Sequence, residues 1–245
     1  MRRIRLTVAY DGTNYCGWQI QPNGNSIQAE LEKALGDLLK KPTAVIGASR
    51  TDAGVHARGN VAVFDTEARM GADRFAFALN TYLPSDIRIM GSEEVDPAFH
   101  PRFCRTEKTY EYRILNRTFP DPLRRLYSTH IYHRLDEEKM RRAGAYLVGT
   151  HDFSAFSTAK PEVENRVRTI RELTVTRNGD EILIRVIGNG FLYNMVRIIA
   201  GTLIRVGNGL MDEAEIPDIL ASKDRSRAGE TARPEGLTLV KIEYL

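Results

Sequence analysis

Several features that would make a chain easy to classify are scarce in this one. It has only two cysteines, Cys16 and Cys104, in 245 residues. Neither sits in a C-x-x-C or similar ligand spacing, and two thiols do not form the disulfide framework of a small secreted domain. Both are expected as free thiols. No run of about 18 apolar residues occurs, so no membrane-spanning helix is expected. The start, MRRIRLTVAYDG, alternates apolar and polar residues where a signal peptide would build an apolar core. A cytoplasmic location is the resulting expectation. The histidines, at 56, 100, 130, 133 and 151, are scattered, and HIYH on a strand would send its two imidazoles to opposite faces, so no metal is expected. Glycine groups such as GNGF (188–191) match neither a phosphate loop nor a dinucleotide fingerprint, and no nucleotide cofactor is expected.

Charge of one sign is also in small excess. The formal net charge is +3 and the isoelectric point about 8.8, a balance that says little about partners. With 42% hydrophobic and 27% charged residues the composition is that of an ordinary globular chain, long enough for one large domain or two halves. What is present is arginine in local groups: Arg2, Arg3 and Arg5; Arg102 and Arg105 with Lys108; Arg124 and Arg125; Arg141 and Arg142; Arg166, Arg168 and Arg171; Arg225 and Arg227. The planar guanidinium fork suits phosphate, so such groups are compatible with a nucleic-acid surface. They are equally compatible with ordinary solvated faces.

Hydrophobic periodicity predicts the elements. IRLTVAY (4–10) alternates at period two, a strand with Ile4, Leu6, Val8 and Tyr10 on one face. After a polar loop, Ser26 caps a predicted helix, IQAELEKALGDLLK, with Ile27, Leu31, Leu35 and Leu38 at helical spacing. A short strand near 43–46, a strand NVAVFDT (60–66), a helix near 72–81 and a strand near 87–96 follow. Next come a strand KTYEYRIL (108–115), a helix over 136–148, two strands joined at Asn178-Gly179, a helix over 191–206 and a closing strand. The pattern predicts an α+β fold of two similar halves, each a mainly antiparallel sheet with helices on one side and a cleft between them. The expected halves are 1–105 and 106–245, with the boundary where FHPRFCRTEK turns from apolar to basic.

Three stretches of the sequence invite a chemical reading. Arg197 sits in the middle of FLYNMVRIIAGTLIRV, a helix apolar nearly all round. Burying its charge without an anion would cost on the order of several kcal/mol, so either a carboxylate or phosphate meets it or the side chain snorkels to the surface. Asp52, in GASRTDAGVHARGNVAVF (47–64), either forms the turn through backbone N–H groups or, held ionised by an arginine, serves as nucleophile or base. In RTEKTYEYR, Tyr110 and Tyr112 share a strand face with Lys108, where a tyrosine either stacks on a base or packs the sheet.

The run SRTDAGVHARGNVAVF resembles the signature of the bacterial tRNA pseudouridine synthase I (TruA) family. The resemblance extends in order over nearly the whole chain, through YDGTNYCGWQIQ, SIQAELEKAL, LPSDI, FHPRF, KTYEYRI, GTHDFSAF, GNGFLYNMVRIIAGTLIRVGNG and RSRAGETARPEGLTLVKIEY. It implies the pseudouridine synthase fold and an isomerase acting on uridines 38, 39 and 40 in the anticodon stem-loop of tRNA, with no metal and no organic cofactor. It places the essential aspartate at Asp52, the base-displacing arginine at Arg50, the active-site tyrosine at Tyr110 and the arginine that pairs with the aspartate at Arg197. It further implies a homodimer with tRNA lying across grooves that both subunits form.

The chain departs from the family at two points. Ser49 stands where the family usually has glycine before Arg-Thr-Asp, and a positive φ there would strain it. TARPEGL replaces the more usual TAPAHGL. A non-catalytic RNA-binding or RNA-chaperone protein on the same scaffold, and a pseudouridine synthase for another RNA, are the alternative functions.

Overall fold

The computed structural model describes residues 1–22, 24–158 and 165–245; Asn23, in the predicted polar loop, lies outside them. The chain forms two compact units, one of Met1–Arg105 with Thr238–Leu245 and the other of Thr106–Leu237.

The first unit opens with β1 (Arg2–Tyr10), whose strict alternation buries Ile4, Leu6, Val8 and Tyr10. α1 (Ile27–Leu39) begins where the Ser26 hydroxyl accepts from the Ala29 N–H, and it buries Ile27, Leu31 and Leu35. β2 (Ile46–Gly47), β3 (His56–Thr66), α2 (Arg74–Leu79) and β4 (Ile87–Val95) follow. β1 is antiparallel to both β3 and β4, and β2 is antiparallel to β3. Trp18, Phe64 and Phe75 fill the core, the two phenylalanines edge to face at 5.3 Å. β3 starts four residues before the predicted strand. His-Ala-Arg-Gly carries no apolar alternation, yet Ala57 pairs with Tyr10 across a bulge that puts Arg58 and Gly59 of β3 opposite Ala9 of β1.

The second unit contains β5 (Thr106–Asn116), β6 (Thr129–Ile131), α3 (Glu137–Ala145), β7 (Gly149–Asp152), β8 (Val167–Asn178), β9 (Glu181–Gly188), α4 (Met195–Gly207) and α5 (Ile216–Ser222). Its strands run in the order β5-β9-β8-β7, all antiparallel, with β6 added parallel to β5. The β8–β9 turn is the predicted one, with Gly179 at φ 58°. α4 is almost wholly buried, but it starts at Met195 and not at 191, because Asn194 adopts the left-handed conformation at φ 61° and ends the approach to the helix.

The last strand, β10 (Leu237–Tyr244), pairs Thr238 and Leu239 in parallel with His56 and Ala57 of β3. Residues 238–245 therefore cluster with the first unit, whereas the chain order alone assigns them to the second half. Hydrogen-bond partners, not position along the chain, decide where a strand belongs. The expected α+β class holds, as mostly antiparallel sheet with few helices.

Candidate active site

Arg50 and Asp52 lie on the turn between β2 and β3, and buried polar side chains clamp the backbone of that turn. Asn60, fully buried on β3, donates from Nδ2 to the Ser49 carbonyl (3.0 Å) and to Tyr10 Oη (3.2 Å). Its Oδ1 accepts from the N–H groups of Ser49 (3.3 Å) and Val61 (2.9 Å). The Tyr10 and Thr51 hydroxyls are 2.7 Å apart, both buried. From the other side Trp18 N–H donates to the Thr51 carbonyl at 3.0 Å, and Val55 N–H closes the turn on the Asp52 carbonyl at 3.2 Å. Gly17 permits this approach: its φ is 107°, and a Cβ there would stand 2.6 Å from Thr51 O.

The consequence is a turn whose frame is fixed from inside while Arg50 points to solvent and Asp52 stays partly accessible. Ser49 is not strained, since the described non-glycine residues at positive φ are Lys40, Asn194 and Lys223. Behind the turn His56 is buried, with Nδ1 accepting from the Gly12 N–H at 3.1 Å and lying 3.2 Å from an Asp11 carboxylate oxygen.

Tyr110 and Arg197 belong to the second unit. Tyr110, 9% exposed on β5, meets Phe191 edge to face at 5.2 Å. Its neighbour on the same face, Tyr112, is structural: fully buried, it bonds the Thr129 hydroxyl at 2.6 Å and the Arg233 carbonyl at 2.8 Å, and burial pushes its phenol pKa up. Arg197, half-buried near the start of α4, donates from Nε to the Ala232 carbonyl (2.8 Å) and from Nη1 to Asn194 Oδ1 (3.1 Å).

That carbonyl is positioned by close packing of residues 229–232 on α4. A Cβ at Gly201 would lie 1.8 Å from the Glu230 carbonyl oxygen, and Gly229 N–H donates to the Thr202 hydroxyl at 2.9 Å. The TARPEGL departure therefore puts Arg233 and Glu235 into the segment that holds Arg197, but the bond to Arg197 uses backbone and is unaffected by it.

Seven of the grouped arginines pair with carboxylates. Arg2 pairs with Glu94 (2.7 Å), Arg3 with Asp65 (2.8 Å), Arg142 with Glu213 (2.6 Å) and Arg171 with Glu107 (2.6 Å); Arg5 pairs with Glu93, Arg124 with Glu181 and Arg141 with Glu138. A cavity of about 910 Å³ opens in the second unit, lined by Arg124, Arg125, Arg205, Glu230 and Glu235 among others, with mixed charge and none of the four predicted site residues. Among the described residues no three His, Cys, Asp or Glu side chains gather into a metal site, no helix is long and apolar enough to cross a membrane, and both cysteines are free.

Sequence reasoning placed Asp52 and Arg50 but missed what fixes them. Asn60 carried a signal, a polar residue opening an otherwise apolar strand. Tyr10 was legible only as core.

The first unit thus carries a clamped Arg-Thr-Asp turn with a partly accessible carboxylate, and the second carries a tyrosine on its opening strand. A family model described as tRNA pseudouridine synthase matches residues 6–104 and 143–245. A tRNA pseudouridine synthase A from an Exiguobacterium species is 51% identical over 244 residues, covering all of this chain and 98% of its own length. Proteins of the same name from a Thermoanaerobacter species (48%, all of both chains) and from Halalkalibacterium halodurans (48%, 97% of this chain and 90% of its own) are similarly close. The chain belongs to the tRNA pseudouridine synthase family and is an isomerase.

Proposed function

We propose that the chain converts uridine to pseudouridine at positions 38, 39 and 40 in the anticodon stem-loop of tRNA. The observation that carries the reading is the intact Arg50-Thr51-Asp52 turn, held by Asn60, Tyr10 and Trp18, in a chain that matches its relatives end to end.

A stacked uridine hides its glycosidic bond, so the nucleotide is flipped out and Arg50, exposed on the turn, braces the vacated space. Tyr110 stacks on the uracil. Asp52, ionised, either attacks ribose C1′ or removes a C2′ proton, and the N1–C1′ bond breaks. The uracil turns, C5 bonds to C1′, and the C5 proton is lost while N1 gains one, so the product is an isomer. Arg197 pairs with Asp52 and keeps it charged and aimed. The reaction needs neither metal nor organic cofactor, proceeds in the cytoplasm and is carried out by a homodimer whose two subunits together hold the tRNA.

The test is Asp52→Asn, which keeps shape and removes charge. Pseudouridine formation in an unmodified tRNA transcript is expected to vanish while tRNA affinity stays within about twofold of the parent. A normal rate in that variant would remove Asp52 from the chemistry. Mapping pseudouridines in tRNA from cells lacking the gene separates this reading from a non-catalytic RNA chaperone, which would leave all sites modified, and from a synthase for another RNA, which would leave 38–40 intact.

A further inference from the structure

A second arginine meets the Asp52 turn from a different part of the first unit. Arg102, in the segment after β4, donates from Nε to the carbonyl oxygen of Gly47 at 2.7 Å, three residues before Arg50. Its head group is close enough to Arg50 to feel it: burial, then repulsion by Arg50, lowers the Arg102 pKa. Among the described residues neither arginine has a carboxylate within ion-pair distance, in contrast to the paired arginines of β1. Arg102, anchored at Gly47 three residues before the exposed Arg50, brings a second guanidinium to the same stretch of chain and adds donors for an oxyanion there.

The same segment carries an aromatic pair. His100 and Phe103 stack at 4.1 Å with their planes 20° apart, and Phe103 is 84% exposed. The Arg102 N–H donates to His100 Nδ1 at 3.2 Å, and Phe103 N–H donates to the His100 carbonyl at 3.2 Å, so one tight turn fixes both ring and guanidinium. A lone exposed phenylalanine needs no explanation. One that is stacked, held rigid and adjacent in sequence to an unneutralised arginine has the composition of a single-stranded nucleic-acid platform, in which cations track the backbone and rings take the bases.

We propose that Arg102 and Arg50 together hold a backbone phosphodiester beside the target uridine, and that Phe103 stacks on an unpaired base next to that phosphate. The inference rests on the reading of the chain as a tRNA-modifying enzyme and assigns one part of its RNA contact. The platform explains how a chain many of whose grouped arginines are paired internally still grips a polyanion next to the Asp52 carboxylate.

The experiment is fluorescence anisotropy of a labelled, unmodified tRNA transcript across a salt series. Arg102→Met is expected to raise Kd about tenfold and to make the log–log salt slope shallower by about 0.7–0.9, the signature of one lost phosphate contact. Phe103→Ala is expected to raise Kd about five- to a hundredfold with the slope unchanged, and Phe103→Trp to restore binding. Arg102→Lys separates charge from fold, because it should regain most of the slope. Weaker binding by Arg102→Met at an unchanged slope would make Arg102 a brace for Gly47 and overturn the phosphate site. Parental affinity in Phe103→Ala would overturn the stack. A wild-type protein that makes no pseudouridine in the same transcript would instead sink the reading on which the platform rests.

Discussion

At the scale of single residues, Asn60 shows how the turn carrying Arg50 and Asp52 is built. Its amide uses both ends on the Ser49 backbone, and it is wholly buried. Asn60→Ala would leave the Ser49 N–H and carbonyl without that partner inside the protein, at a cost of about 1–3 kcal/mol. A melting temperature lower by several degrees is expected, together with a fall in pseudouridine formation larger than the loss of tRNA affinity. Ser49 is legible in the same terms. Since it carries no positive φ, a glycine in its place offers no relief of strain here and only loosens the unfolded chain. Ser49→Gly should lower stability by about 0.5–1 kcal/mol in thermal unfolding and leave the turnover rate within twofold. The sequence offered Asp52 and Arg50 as candidates because a motif carries them. It did not disclose Asn60, Tyr10 and Trp18 as a clamp, because their roles are set by hydrogen bonds between distant positions that have no periodicity.

At the scale of elements, legibility followed length and patterning. β1 and α1 were plain, because each shows four apolar residues at the right period. β6, β7 and α5, with 3, 4 and 7 residues, are too short for any period to show. α5 is tied to β7 by Lys223, whose ammonium lies 2.8 Å from an Asp152 oxygen. Burial opposes the charged form of Asp152, yet Lys223 and Ser154 hold its pKa down to about 2. A carboxyl whose pKa is lower in the folded than in the unfolded state adds stability that is complete above about pH 4 and is lost as the pH falls through 2. Because Lys223 is well exposed, the contribution at neutral pH is only about 1 kcal/mol. Asp152→Asn is expected to lower the melting temperature at pH 7 by a few degrees and to flatten part of the acid limb between pH 4 and 2 in a thermal series.

The packing of residues 229–232 on α4 makes a sharper prediction. Gly201→Ala inserts a methyl group 1.8 Å from the Glu230 carbonyl, so the segment must move and carry the Ala232 carbonyl away from Arg197. Overpacking of this kind costs about 1–3 kcal/mol. Denaturant titration should show that loss, and kcat should fall with it.

At the scale of the molecule, a net charge of +3 conceals extensive internal neutralisation. Many of the arginines in the groups compatible with a nucleic-acid surface are ion-paired, which a linear sequence cannot reveal because partners such as Glu94 and Glu213 lie far along the chain. The division into units was obscured for the same reason. Alternation announces the closing strand but not its neighbour. Light scattering of the purified protein is expected to give twice the chain mass of 27.7 kDa, in line with the proposed dimer.

The pairing of Thr238 and Leu239 with His56 and Ala57 has a consequence for folding kinetics. The strand that leaves the Asp52 turn closes on a neighbour far along the chain, so the entropy of closing a long loop is spent before the contact returns any free energy. In refolding from denaturant, hydrogen-exchange protection of β1 and β4 is therefore expected to appear before protection of β10.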